Sequence, residues 1–479
     1  MIKIRLLLFP GSLLLCLSFS CRINTMNDPW EKANAIIDQI SIPVFQAQTY
    51  NIVDYGAKGD STTLNTISIN KAIHDCNQKG GGTVIVPPGI FLTGAIHLLS
   101  NVNLKLEKGS ELRFSSNPSD YLPLVHTSWE GIECMNYSPL IYAYGKKNIA
   151  ITGDGLLNGM ASNAHWWPWC GSRSFGWQAG SPSQGNADAR PLLDSFNLKR
   201  TPVVDRIMGE VHYLRPQFIQ FNRCENILIE NISLKNSPFW EIHPLMSKNI
   251  TIRNVKVNST GPNNDGCDPE SCRNVLVENC NFNTGDDCIA LKSGRNEDSR
   301  TNGMPIENVV IRNCNMENGH GGIVIGSEVS GGAKNIFVEN CRMDSPHLDR
   351  AIRIKTNNNR GGIVDSIFIR NIEVGEVNEA VIKINCKYNP QEGSGNFPPV
   401  VSNVFISGIS SSKSAYALFF EGLDNFQSIK NIYLKNCTFS GVNFPNRIEN
   451  VTNLNLVNVK INKVNIRKEV LNSKINVTE

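Results

Sequence analysis

The chain has 479 residues, 41% of them hydrophobic and 19% charged, with 46 Lys+Arg against 43 Asp+Glu and a net charge of +3. That balance excludes the basic signature of a nucleic-acid binder, and the composition excludes a disordered or low-complexity chain. The length suits two or three ordinary domains or one solenoid, and any attraction for an acidic ligand must be local.

In chain order, Lys3 and Arg5 precede an apolar run from Leu6 to Phe19, which meets Ser20-Cys21. A basic start, a short apolar run and a small residue before the cut mark an export signal over residues 1–21. The run is too short to span a bilayer, which takes roughly 18–20 residues. Cys21 stands where a bacterial lipoprotein carries its lipid, although Ser18 occupies a place where that signal favours leucine. The expected location is the periplasm or the outer membrane of a Gram-negative bacterium, with membrane contact only through lipid at Cys21. Residues 22–48 read as a linker, and 49–479 as one domain. Over residues 66–78, Ile69, Ala72, Ile73 and Cys76 fall at helical spacing before Gly80-Gly81-Gly82, which predicts an amphipathic helix closing the N-terminal end.

From Asn226 a pattern recurs: Asn, apolar, any, apolar, polar, Asn, apolar or Cys, any, apolar. Nine units begin at residues 226, 249, 274, 308, 335, 366, 403, 431 and 453, with starts 22 to 37 residues apart. Such periods mark solenoids. In NVLVENCNF, Val275 and Val277 alternate with polar neighbours, then Asn279 shifts the phase for Cys280 and Phe282. The sixth position is Asn in eight units and Gly408 in the ninth, residues that enter left-handed backbone at least cost. Each unit is therefore two short strands around a bend, and the expected fold is all-β, a parallel β-helix. Cys280, Cys314, Cys341 and Cys437 share one place in the repeat and read as small buried residues rather than disulfide partners.

The turns after these strands carry unusual residues. Asp265 lies in GPNNDGCD, Asp286 and Asp287 in NTGDDC, and His320 in ENGHGG, while Arg353 and Lys355 end DSPHLDRAIRIK. Singly, each has an ordinary reading: a turn cap, a calcium-binding pair, a turn histidine, solvated strand charges. Coils stack about 4.8 Å apart, so equivalent turns superpose and the groups should line one surface. Crowded carboxylates should raise at least one pKa, as a general acid requires.

These motifs resemble those of glycoside hydrolase family 28, the polygalacturonases. The family's Asn-Thr-Asp, Asp-Asp, Gly-His-Gly and Arg-Ile-Lys correspond to Asn263-Asn264-Asp265, Asp286-Asp287, Gly319-His320-Gly321 and Arg353-Ile354-Lys355, with Asn264 the one departure. IVDYGAKGD and GGGTVIVPPG near the N-terminus resemble the family's first coils. The resemblance implies a right-handed parallel β-helix that hydrolyses galacturonic-acid linkages in pectin by single displacement with inversion, without cofactor or metal. It implies Asp286 as general acid, Asp265 and Asp287 as activators of water, and His320 as support for the acid. Arg353, Lys355, Tyr388 and Asn263 would contact a pectic oligo- or polysaccharide.

Between Ile149 and Asn226 lies a long stretch with Trp166, Trp167, Trp169, Trp177, Arg173, Arg190, Arg206 and Arg215. Aromatic faces stack on sugars and arginines pair with carboxylates, so this stretch is expected to wall off one end of the groove and favour exo action. Alternatives are a hydrolase of rhamnogalacturonan, a calcium-dependent β-helical pectate lyase and a non-catalytic carbohydrate-binding protein.

Overall fold

The unit NVLVENCNF shows how sequence becomes coil. In the computed structural model, which describes residues 28–390, 395–465 and 474–478, Asn274 and Asn279 both adopt left-handed backbone, at φ +57° and +55°. Strand Arg273–Glu278 buries Val275 and Val277; Asn279 then turns the chain, and Asn281–Thr284 buries Phe282. The paired angles recur from Asn226/Asn231 to Asn453/Asn458. Sequence periodicity exposed only the second bend of each pair. The first lies inside a strand as a bulge that pairing skips: Lys248 faces Arg273 and Ile250 faces Val275, with Asn249 and Asn274 left out. Their amides pair with each other instead. Asn274 donates to Asn249 at 3.1 Å, Asn308 to Asn274 at 3.1 Å and Asn335 to Asn308 at 3.0 Å.

Successive coils pair in parallel register, as in Val275↔Val309↔Ile336↔Ile367↔Val404. A third row runs from Ile96–His97 through Ile242–Leu245, then from Asp287–Leu291 to Arg447–Glu449. Bridges at Cys267 and Glu270 join its two parts. The whole is a right-handed parallel β-helix with one apolar core extending from Tyr50 to Val459. Cys280, Cys314, Cys341 and Cys437 are buried in that core, and no two cysteines among the described residues are bonded. Among the described residues no helix is long and apolar enough to cross a membrane.

Helix α1 spans Pro29–Gln39 and helix α2 spans Thr66–Gln78. Helix α2 caps the N-terminal end with Ile69, Ala72, Ile73 and Cys76 fully buried, as its spacing predicts. Helix α1 corrects the reading of 22–48 as a linker. Ala33, Ile36 and Ile40, at i, i+3 and i+7, pack on Leu276, Val310 and Phe337 along the outer wall. Asp28 caps it by accepting from the Trp30 amide, and the Trp30 ring lies under the Arg370 guanidinium at 3.8 Å. The export signal and Cys21 lie outside the described residues.

Three additions gather over one end of the third row. A hairpin, Val125–Trp129 with Ile132–Asn136, turns at Glu130-Gly131. Helix α3 is Arg190–Leu198 and helix α4 is Asn296–Asn302. Asp298 ties them together: it takes the Arg206 guanidinium at 2.5 and 2.9 Å and the Glu133 amide at 3.1 Å.

Candidate active site

Asp265, Asp286 and Asp287 come from two adjacent coils, and one oxygen of each lies within 4.8 Å of the others. Backbone chemistry fixes the turns that hold them. Gly319, at φ +137°, lets the next coil approach so closely that a Cβ there would meet the Asp286 carbonyl at 2.2 Å. The His320 amide then donates to that carbonyl at 3.0 Å, and the imidazole Nδ1 lies 2.9 Å from Asp286 Oδ1. Asn264, the departure from the family motif, is fully buried and faces the backbone. Its amide donates to the Ser237 and Phe239 carbonyls and accepts from Ser259 and Gly261. It braces the turn and leaves Asp265 its place.

Arg353 and Lys355 lie two residues apart on strand Arg350–Lys355, so they share a face. Both are buried rather than solvated. Lys355 Nζ reaches Asp287 Oδ2 at 2.7 Å, and an Arg353 nitrogen stands 3.7 Å from Asp287 Oδ1. The Tyr388 ring lies 5.5 Å from the Arg353 guanidinium and 5.4 Å from the Lys355 ammonium. Asn263 donates to Asp286 Oδ2 at 3.5 Å and accepts from the buried Arg215 at 2.7 Å. All eight sequence-predicted residues thus converge on one region. Most line a cavity of about 480 Å³.

Sequence reasoning missed Asp268, Lys292, Glu328, Glu130 and Arg360. Lys292 follows the apolar run CIAL, where a lysine reads as a strand-end charge, yet it is buried beside Asp265, Asp268 and Glu328. The only signal in sequence was the Asp265-x-x-Asp268 spacing.

The tryptophans also need correction. Trp166 is buried in the core, Trp167 donates to the Ser237 carbonyl, and Trp177 donates to the Ser181 carbonyl. Arg206 and Arg215 are buried struts. Of the residues named for the wall, only Arg190 lines the cavity, and it pairs with Glu130 of the hairpin at 2.8 Å. Glu130 of the hairpin and Arg190 of helix α3 line that end of the cavity, and Arg295 braces Glu130 at 3.4 Å. A two-residue hairpin turn gives no compositional warning.

Electrostatics distinguish the acids. Burial, then the neighbouring Asp268, carries Asp265 well above the usual carboxylate range despite Lys292. Burial likewise pushes Asp268 up to about 8. For Asp286 burial acts upward too, but the hydrogen bond and charge of His320 outweigh it and hold this carboxyl below its ordinary value. The same hydrogen bond raises His320 to about 9. Crowding therefore raises an acid, as expected, but not Asp286; its proton in the free site rests on the imidazole. Asp265 Oδ2 faces the Lys292 ammonium at 3.3 Å and Asp287 Oδ2 faces Lys355 at 2.7 Å, so each of these carboxylates holds one oxygen on a buried cation. Three clustered carboxylates also suit a cation, although Lys292, Lys355 and His320 already supply positive charge to them.

A model described as Glycosyl hydrolases family 28 matches residues 210–456, and one described as Rhamnogalacturonase A/epimerase, pectate lyase-like matches residues 49–105. A probable polygalacturonase of Vitis vinifera is 30% identical over 68% of this chain and 60% of its own length. An exo-poly-alpha-D-galacturonosidase of Dickeya chrysanthemi is 27% identical over 73% of this chain and 59% of its own. The chain thus spans about 60% of the length of these two relatives. The crystal structure of a hyperthermoactive exopolygalacturonase from Thermotoga maritima is similar at a TM-score of 0.87 and 41% identity, over 91% of this chain and 96% of that one.

Proposed function

Since the chain belongs to glycosyl hydrolase family 28, we propose that it hydrolyses α-linked galacturonic acid in pectic chains and releases the sugar at the non-reducing end. The observation that carries this reading is one cavity where three carboxylates meet two buried cations. Bond cleavage needs a proton donor and a base, and an acidic sugar needs cations that a neutral one could not repay. Exo action is supported by the hairpin and helix α3 at one end of the cavity, and by the two relatives named for that activity.

Asp286 protonates the glycosidic oxygen, drawing on the proton it shares with His320. Asp265 and Asp287, on adjacent coils and clustered with Asp286, orient the attacking water, and one of them accepts its proton. Arg353 and Lys355 take the sugar carboxylate, Lys355 exchanging Asp287 for it, while Tyr388 and Asn263 border the same sugar. Inversion comes from the family resemblance. Inverting pairs usually stand about 6.5–9.5 Å apart, whereas these oxygens lie within 4.8 Å.

The test is saturated trigalacturonate with and without chelator, followed by NMR. The reading expects hydrolysis that survives chelation and a β-configured first product. An α-configured product overturns single displacement; an unsaturated, chelator-sensitive product establishes calcium-dependent elimination instead. The match of residues 49–105 to the rhamnogalacturonase description favours a second reading, cleavage at galacturonate within rhamnogalacturonan, which defined oligosaccharides separate. The basic and apolar sequence of residues 1–21 supports export, with a periplasmic location or, through lipid on Cys21, an outer-membrane one as the reading; mass spectrometry of the mature N-terminus tests this.

A further inference from the structure

Lys292 stands just past strand Asp287–Leu291, five residues beyond Asp287, and its backbone is bridged to Glu270 of the preceding coil. Its side chain is 3% exposed. Its ammonium lies 3.3 Å from Asp265 Oδ2, 3.6 Å from Asp268 Oδ2 and 3.3 Å from Glu328 Oε2, and 4.1 Å from the Trp240 ring centroid. The other acids have cations of their own: Asp287 has Lys355, Glu328 has Arg360 and Asp286 has His320. No other lysine or arginine among the described residues forms an ion pair with Asp265 or Asp268.

We propose that Lys292 is a positioning residue for the reaction: it pins one oxygen of Asp265 and offsets part of the negative charge that Asp268, Asp286 and Asp287 crowd around that carboxylate. The assignment rests on the hydrolase reading above and adds what selects the base. Geometry carries it, since the buried ammonium stands between two buried carboxylates, 3.3 Å from Asp265 Oδ2 and 3.6 Å from Asp268 Oδ2. The Trp240 ring packs against the ammonium at 4.1 Å, and both residues line the cavity. Asp265 and Asp268 flank one cation and are both pushed upward first by burial, so the two compete for it. Asp286 and Asp287 add negative charge from the next coil, and Glu328 from the coil beyond. Lys292 is the cation that opposes this upward push on Asp265, so without the ammonium the carboxyl would hold its proton more tightly still.

The test is the pH profile of kcat on trigalacturonate, measured on the full chain. Lys292→Gln is expected to move the acidic limb up by about one pH unit or more and to lower kcat below that limb about 10²-fold. KM should change little. Lys292→Arg should restore the limb. A purely structural lysine would lower activity equally at every pH, so a folded Lys292→Gln variant with an unmoved limb overturns the proposal. Should that variant not fold, Asp268→Asn decides: removing the competitor should move the limb down, and an unmoved limb overturns the assignment. Absence of hydrolysis by the wild-type chain defeats the functional reading itself, and this assignment with it.

Discussion

At Asp286 and His320, two neighbours at 2.9 Å shift each other in opposite directions. The imidazole keeps its proton up to about 9 and the carboxyl stays ionised in the free site. If His320 is the store from which Asp286 draws, kcat/KM should decline as pH rises through about 9, which a pH–rate profile reads directly. Asp286→Asn should lower kcat about 10³-fold or more while trigalacturonate binding by calorimetry stays within a few-fold. Away from the chemistry, Glu241 is fully buried, and burial, outweighing the lowering pull of Ser259 and the Ser237 amide, raises it to about 8. The folded protein then keeps this proton until about 8, whereas an unfolded carboxyl releases it near 4.5. Stability should fall as pH rises through that window. Glu241→Gln should flatten the fall, by of order 2 kcal/mol at pH 8, in denaturant titrations at pH 5 and pH 8. Most of the site was legible because Asp286 and His320 each fall 12 residues beyond their repeat's first Asn, with Asp287 adjacent and Asp265 in the turn of the coil before. Lys292 and Glu328 were not, because burial, which turns a surface charge into part of the site, depends on coils distant in sequence.

Among the elements, the repeat's two asparagines do separate work. Asn279 bends the chain between strands and was legible from the shift in apolar phase. Asn274 forms a bulge inside a strand and was not, since the apolar alternation continues on both sides of it. Asn274→Ala would force a Cβ into left-handed backbone without the asparagine's compensation and remove its ladder bonds to Asn249 and Asn308. The expected cost is about 2–3 kcal/mol by denaturant titration, with Asn274→Gly recovering the backbone share. Helix α1 carries a similar lesson. Residues 22–48 read as a linker because they precede the first coil, whereas Ala33, Ile36 and Ile40 at helical spacing mark a docking face. Ile36→Ala should cost roughly 2–5 kcal/mol in docking of this helix, read as faster amide exchange over residues 29–39. The wall moved in the opposite sense. Tryptophan content pointed to 160–215, but large aromatics bury more readily than they stay exposed, and Trp166 is in the core. Arg190, set by helix α3, and Glu130, set by the hairpin turn, hold the wall together instead.

In the whole molecule, a parallel solenoid converts sequence distance into a line of turns, and that line places the acids over Arg353 and Lys355. With a net charge of only +3, attraction for a polyanionic chain comes from this cavity rather than from the molecule's overall field. The fold class was legible because every coil repeats the same physics. The direction in which the groove is closed was not, because the hairpin belongs to no repeat. One end of the cavity meets the hairpin and helix α3, while the third row continues past Lys355 toward the C-terminal coils, so a pectic chain should enter by its end and lose one sugar at a time. The most direct measurement is the product profile from polygalacturonate in the first few per cent of hydrolysis, taken together with viscosity. Monogalacturonate alone, with viscosity falling slowly, is the expected result. A ladder of oligomers with rapid loss of viscosity would contradict the closed end, and no release of sugar at all would contradict the site.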